Sequence, residues 1–215
     1  MNLAALKFIL SQTIFLQAQA LADKGLDMPT LEMVVINRDT VYAEEMADVF
    51  EMVQDRFPSK HLYGIEVLGK VEVKHDTKVL IRGKEYKAHE YANLMRKMKK
   101  FKEFLGVKGP FLGLAYDPMV RIYTEITARG VETGIEVLRD YVHENTVVYS
   151  CFGVPVNKNF DSALHTLGHV AGLRHHVEPI DIMYYNLLQE QTKLKTLDSS
   201  GKYFCEVCEE NLKRQ

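Results

Sequence analysis

HTLGHVAGLRH, residues 165–175, sets His165, His169 and His175 at spacings of four and six, with Gly172 between the last two. Two histidines four apart lie on one face of a helix, about one turn apart, so both imidazoles can reach one ion. The surrounding SALHTLGHVAGL supports such a helix. Asp161 and Ser162 near its start are capping candidates, and Leu164, Leu167, Gly168 and Ala171 offer small or apolar packing positions. A third ligand six residues beyond His169 cannot stay in register on the same straight helix, so the chain must turn. Gly172 is placed to make that turn, because glycine takes the left-handed conformation that ends a helix. Three ring nitrogens leave a fourth position open to water or substrate, the arrangement of a catalytic zinc rather than a closed structural one. Eight histidines in 215 residues would produce these offsets by chance in about one chain in a hundred.

Outward from this stretch, strands and helices alternate. LEMVVIN (31–37) is a short branched apolar run, expected as a buried strand. VYAEEMADVFEMVQDRF (41–57) has apolar positions at three- and four-residue steps and reads as a helix. LYGIEVLGKVEV and KVLIRGKEY flank His75, Asp76 and Thr77, which suggests a hairpin there. A second amphipathic helix, 89–106, carries Tyr91, Leu94, Met95, Met98, Phe101 and Leu105 on its apolar face. GPFLGLAYD (109–117) and NTVVYSCFGVP (145–155) read as further strands, and VETGIEVLRDYV (131–142) is ambiguous between helix and strand. The expectation is an α/β fold: a mixed twisted sheet with flanking helices, one of them the histidine helix. It divides into an N-terminal helix (1–29), an α/β subdomain (30–172) and a C-terminal subdomain (173–215).

Composition excludes several classes. Apolar residues make up 47% and charged residues 26%, with a formal charge of −2, so nothing global points to a polyanion. The lysines of RKMKKFKEF fall on the polar face of a helix without interleaved aromatics, a solvated face rather than a nucleic-acid surface. No apolar run is long enough to cross a bilayer. The first residues end in an A-x-A pattern at Ala18–Ala20, but Lys7 and Ser11–Thr13 interrupt the apolar stretch, and Leu3, Leu6, Leu10 and Ile14 recur at helical spacing. An amphipathic helix is expected there, not a secretory leader. Three cysteines, Cys151, Cys205 and Cys208, are too few and too odd in number for an oxidised scaffold, which points to a reducing, cytoplasmic setting.

HxxxHxxGxxH resembles the zinc motif of the metzincin clan of metallopeptidases. That clan places a methionine in a turn beneath the metal, and Met183 in PIDIMYYN stands in the matching position. The tail is similar to the archaemetzincin family. There the third ligand is followed by a cysteine, four residues, a second cysteine, one residue and the methionine, with a CxxC farther on, and the four cysteines hold a structural zinc. Here His176 takes the first cysteine position and Asp181 the second, while Cys205 and Cys208 form the CxxC. The resemblance spans 161–208 sharply and 31–155 only as a compatible alternation. It implies two zincs: one on His165, His169 and His175, and one on His176, Asp181, Cys205 and Cys208, stapling a small C-terminal lobe. All four residues of the second set are legitimate zinc ligands, though losing two thiolates weakens a structural site. Without metal, CEVC is a pair of ordinary cysteines at a helix start or a reversible dithiol. The clan also implies the partner, an extended peptide lying along a sheet edge above the zinc helix.

Thr166 is the departure with the largest chemical consequence. In the family pattern a glutamate beside the first ligand accepts a proton from the active-site water and passes it on. A threonine hydroxyl hydrogen-bonds water but is no base near neutral pH. Loss of a positioned base costs on the order of 100- to 10,000-fold in rate. The expectation is therefore a zinc-binding protein of the metallopeptidase type with peptide hydrolysis lost or strongly reduced. The alternative is an active metallopeptidase whose base is a carboxylate from elsewhere, with Glu132, Glu136 and Asp140 as candidates. A third possibility is a metal that serves the fold alone.

Overall fold

The computed structural model describes residues 29–57, 64–155, 160–176, 181–183 and 203–214. The amphipathic helix expected over 1–29 lies outside them, except for its last residue.

Four strands run parallel through the centre: β1 (Thr30–Ile36), β2 (Gly64–Val71), β5 (Phe111–Ala115) and β9 (Thr146–Ser150). A short antiparallel strand, β8 (Asp140–His143), closes one side, giving the order β2-β1-β5-β9-β8. Every residue of β5 and β9 is buried, as expected of parallel strands covered on both faces. Their side chains divide by the period of two. Leu31, Met33, Val35, Leu112, Leu114, Val147 and Tyr149 enter one core. Val34, Ile36, Phe111 and Val148 enter the other.

Helices cover each face. On the first, α1 (Val41–Val53) brings Met46, Val49 and Phe50, and α3 (Phe160–Val170) brings Leu164 and Leu167. A 3-10 turn, Gln54–Arg56, continues α1, so the expected helix over 41–57 forms almost whole. On the second face, α2 (Tyr91–Leu105) packs Leu94, Met95 and Met98. The Glu90 side chain caps it by accepting from the Asn93 N–H at 2.8 Å, and Gly106, at φ 73°, ends it. A final helix, α4 (Glu206–Arg214), turns Cys208 and Leu212 into the first core. No helix among the described residues is long and apolar enough to cross a membrane.

A second sheet, β3-β4-β6-β7, is built from β3 (Thr77–Ile81), β4 (Lys84–Glu90), β6 (Met119–Thr127) and β7 (Gly130–Leu138). It corrects the expected hairpin about His75. β2 pairs with β1, across α1, while β3 turns back on β4. The turn is Arg82–Gly83, with φ of 50° and 78°, and two residues at positive φ suit the right-handed twist of a tight hairpin. His75 thus lies in the passage between two sheets. The ambiguous 131–142 resolves into β7 and β8, separated at Arg139. Helix α3 starts at Phe160, so Asp161 and Ser162 fall in its first turn instead of capping it. Asp161 still complements the positive end of the helix dipole.

Candidate metal centre

The buried side of α3 is continuous from Ala163 to Gly168, and it takes His165 and Thr166 fully out of solvent. Gly168 allows the close approach of Met183: a Cβ there would lie 2.5 Å from the methionine sulfur. The chain leaves α3 through Gly172, at φ 82°, and Leu173 N–H closes back on the Gly168 carbonyl at 2.8 Å. That left-handed turn returns His175 to the two helical histidines.

The three Nε2 atoms form a nearly equilateral triangle: 3.1 Å between His165 and His169, and 2.9 Å from His175 to each of them. Their tautomers follow from the other ring nitrogen. His165 Nδ1 is 2.6 Å from the Ile182 carbonyl, and His169 Nδ1 is 2.9 Å from the Leu173 carbonyl. A carbonyl oxygen only accepts, so each Nδ1 carries the proton. Burial lowers the pKa of His169, and burial followed by the neighbouring histidines lowers that of His175 to about 4, so both rings are neutral at physiological pH. The Nε2 atoms of His165 and His169 face each other at 3.1 Å, and both face His175 Nε2 at 2.9 Å. A cation placed among three converging ring nitrogens is held by all of them. Tetrahedral zinc bound at 2.0–2.1 Å keeps its ligands roughly 3.3 Å apart, close to the observed triangle. Carbonyls on the rear nitrogens are also the usual support of metal-bound histidine. The residues fit zinc.

Asp140 joins the three histidines; ligand-capable atoms of all four lie within 4.8 Å of one another. It opens β8, its side chain is only 6% exposed, and its Oδ2 is 3.8 Å from His165 Nε2. The Thr166 hydroxyl donates to the same oxygen at 2.9 Å. Glu132 and Glu136 lie instead on β7 in the second sheet, where Glu136 pairs with Arg121. A cleft of about 530 Å³ opens at this point, walled by β8 on one side and by Gly172–His175 on the other.

His176, Asp181, Cys205 and Cys208 form a second cluster within 4.8 Å. Asp181 is its hub. Oδ1 lies 2.5 Å from His176 Nε2 and accepts the Met183 N–H at 2.7 Å, while Oδ2 accepts the Cys205 N–H at 2.8 Å. Burial pushes the Asp181 pKa up, but these backbone and thiol donors outweigh it, and the net shift is downward. Burial and then the Asp181 carboxylate raise the Cys208 pKa. Both thiols are free. A carboxylate and thiols brought this close suit a divalent cation, which draws off the thiol proton. The same backbone bonds hold Met183 under α3, so the two clusters share one turn.

His75, His89 and Asp117 make a third group within 4.8 Å, at the carboxyl ends of the parallel strands. Sequence reasoning did not find it, because two loop residues and one from β4, far apart in the chain, share no local spacing. His75 Nε2 meets Asp117 Oδ2 at 2.9 Å, and the ring stacks on His89 at 4.5 Å and 19°. His89 is fully buried, and the Asn37 amide nitrogen lies 3.4 Å from its Nε2.

A histidine-bearing helix beneath a mixed sheet, with its third histidine returned by a glycine turn, is an architecture with solved counterparts. The crystal structure of a zinc-dependent peptidase from Methanocorpusculum labreanum (strain Z) matches this fold with a TM-score of 0.54, over 84% of this chain and 99% of that one, at 13% sequence identity. The crystal structure of archaemetzincin from Methanopyrus kandleri aligns with a TM-score of 0.49 at 17% identity, over 86% and 94% of the two chains. At these identities the likeness is one of fold. No protein-family model and no curated protein sequence matches the chain.

Proposed function

We propose that this protein is a zinc-binding protein of the metallopeptidase type, akin to archaemetzincins, that holds an extended peptide across His165, His169 and His175 and hydrolyses it slowly. One observation carries the reading: the Nε2 atoms of His165, His169 and His175 converge to within 3.1 Å of one another, with the first two rings oriented by backbone carbonyls at Nδ1. Zinc, when bound, supplies Lewis acidity, acidifying a water molecule and polarising a carbonyl. The residues supply the rest. Ile182 and Leu173 orient the rings, and Met183 packs below them. β8 ends the sheet, so its outer edge can pair with an extended backbone lying in the cleft. His176, Asp181, Cys205 and Cys208 would hold a second, structural zinc. Thr166 supports a reduced rate, because α3 carries no base of its own. The three free cysteines support a reducing, cytoplasmic setting.

Elemental analysis of the purified full chain, with cleavage of a mixed peptide library followed by mass spectrometry, tests this. The expected result is about two zincs per chain and slow cleavage that a chelator stops and added zinc restores. Protein without zinc after chelator-free purification, or cleavage indifferent to chelation, would contradict it.

A further inference from the structure

We infer that Asp140 is the proton acceptor of this site, in the role that the Thr166 position lacks, and that Thr166 aims it. This rests on the zinc reading above and adds a catalytic residue to it. Asp140 comes from outside α3: it begins the edge strand β8, where it pairs with Tyr149 of β9. That pairing fixes its backbone beside the cleft it lines. The Thr166 hydroxyl donates to Asp140 Oδ2 at 2.9 Å. A carboxylate oxygen therefore stands one hydrogen bond beyond the threonine, within the reach of the longer acidic side chain that position 166 lacks. The swap preserves a buried carboxylate next to the first histidine and moves its covalent attachment from helix to strand.

Asp140 Oδ2 stands farther from His165 Nε2, at 3.8 Å, than the three histidine nitrogens stand from one another, which sets it at the margin of the triangle beside the cleft. The Thr166 hydroxyl also engages that same oxygen and restrains it. A water molecule held at the histidine triangle would have Oδ2 at hand as its proton acceptor. In the step, the water oxygen bonds to the scissile carbonyl carbon while one of its protons passes to Asp140. Asp140 then returns that proton to the amide nitrogen as the C–N bond breaks. The products are one carboxylic acid and one amine, and Asp140 ends as it began.

The test compares zinc-loaded full-length Asp140→Asn with the natural protein in three readouts: zinc dissociation constant, peptide KM and kcat. The expected result is an unchanged zinc constant, an unchanged KM and a kcat lower by roughly 100- to 10,000-fold. The Asp140→Asn/Thr166→Glu double variant should regain activity, with the carboxylate back on the helix. Thr166→Val should lower kcat about tenfold, the cost of one hydrogen bond to a charged group, and Thr166→Ser should retain it. If Asp140→Asn fails to fold, the valine and serine pair carries the test. A zinc constant weakened tenfold or more in Asp140→Asn would make Asp140 a ligand and overturn the inference. So would an unchanged kcat, or a natural protein that holds zinc and cleaves nothing, in which case the metal site would still stand. A natural protein without zinc would remove both readings, and the metal analysis tells these cases apart.

Discussion

His165, His169 and His175 cross their rings, at 83° and 79° for the two pairs that include His169, whereas His75 and His89 lie almost flat on each other at 19°. Both groups crowd histidines beside an aspartate, Asp140 in one and Asp117 in the other. The crossed rings aim their nitrogens at one point. Stacked rings hold their in-plane lone pairs side by side instead of aiming them at one centre. His75 Nε2 is held by Asp117, and His89 Nε2 faces the Asn37 amide, which both accepts from and donates to the backbone of Val73, while His89 Nδ1 is buried without a hydrogen-bond partner among the described residues. Closeness alone does not make a metal centre; convergence of ring nitrogens on one point does.

The largest expected effect follows directly. His169→Ala should lose one zinc per chain by elemental analysis, while His75→Ala should keep the natural content. Equal loss in both variants would erase the distinction. A smaller effect concerns the stacked group. Burial, then repulsion from His75, lowers the His89 pKa from 6.5 to about 4. Between those values the unfolded chain binds a proton that the folded chain refuses, so stability is complete above pH 6.5 and falls as the pH drops toward 4. Over that window the loss is about 3 kcal/mol. Urea denaturation of metal-free protein at pH 7 and pH 4.5 should show this slope, and His89→Leu should flatten it. A variant with the natural slope would show that His89 is not the group responsible.

The crossed cluster was legible in the sequence because it is local. An i, i+4 pair on a helix and a glycine that adopts φ 82° define most of its geometry within eleven residues. The second cluster was legible only through a family resemblance, since Cys205 and Asp181 meet across 24 positions. Asp140 could be named as one carboxylate among three, but not placed. Its position depends on 131–142 splitting into an arm of one sheet and the edge of another, and periodicity in that stretch serves helix and strand alike. The hairpin about His75 failed for a related reason: alternation marks β2 and β3 as strands, but only the completed sheet shows that β1 claims β2. The buried runs of β1, β5 and β9 were readable because they are covered on both faces.

Diffraction data from crystals of the full chain, collected on both sides of the zinc absorption edge, test the central claim most directly. The account predicts an anomalous peak 2.0–2.2 Å from the Nε2 atoms of His165, His169 and His175, and none among His75, His89 and Asp117. A triangle of histidines without a peak, in protein never exposed to chelator, would contradict it.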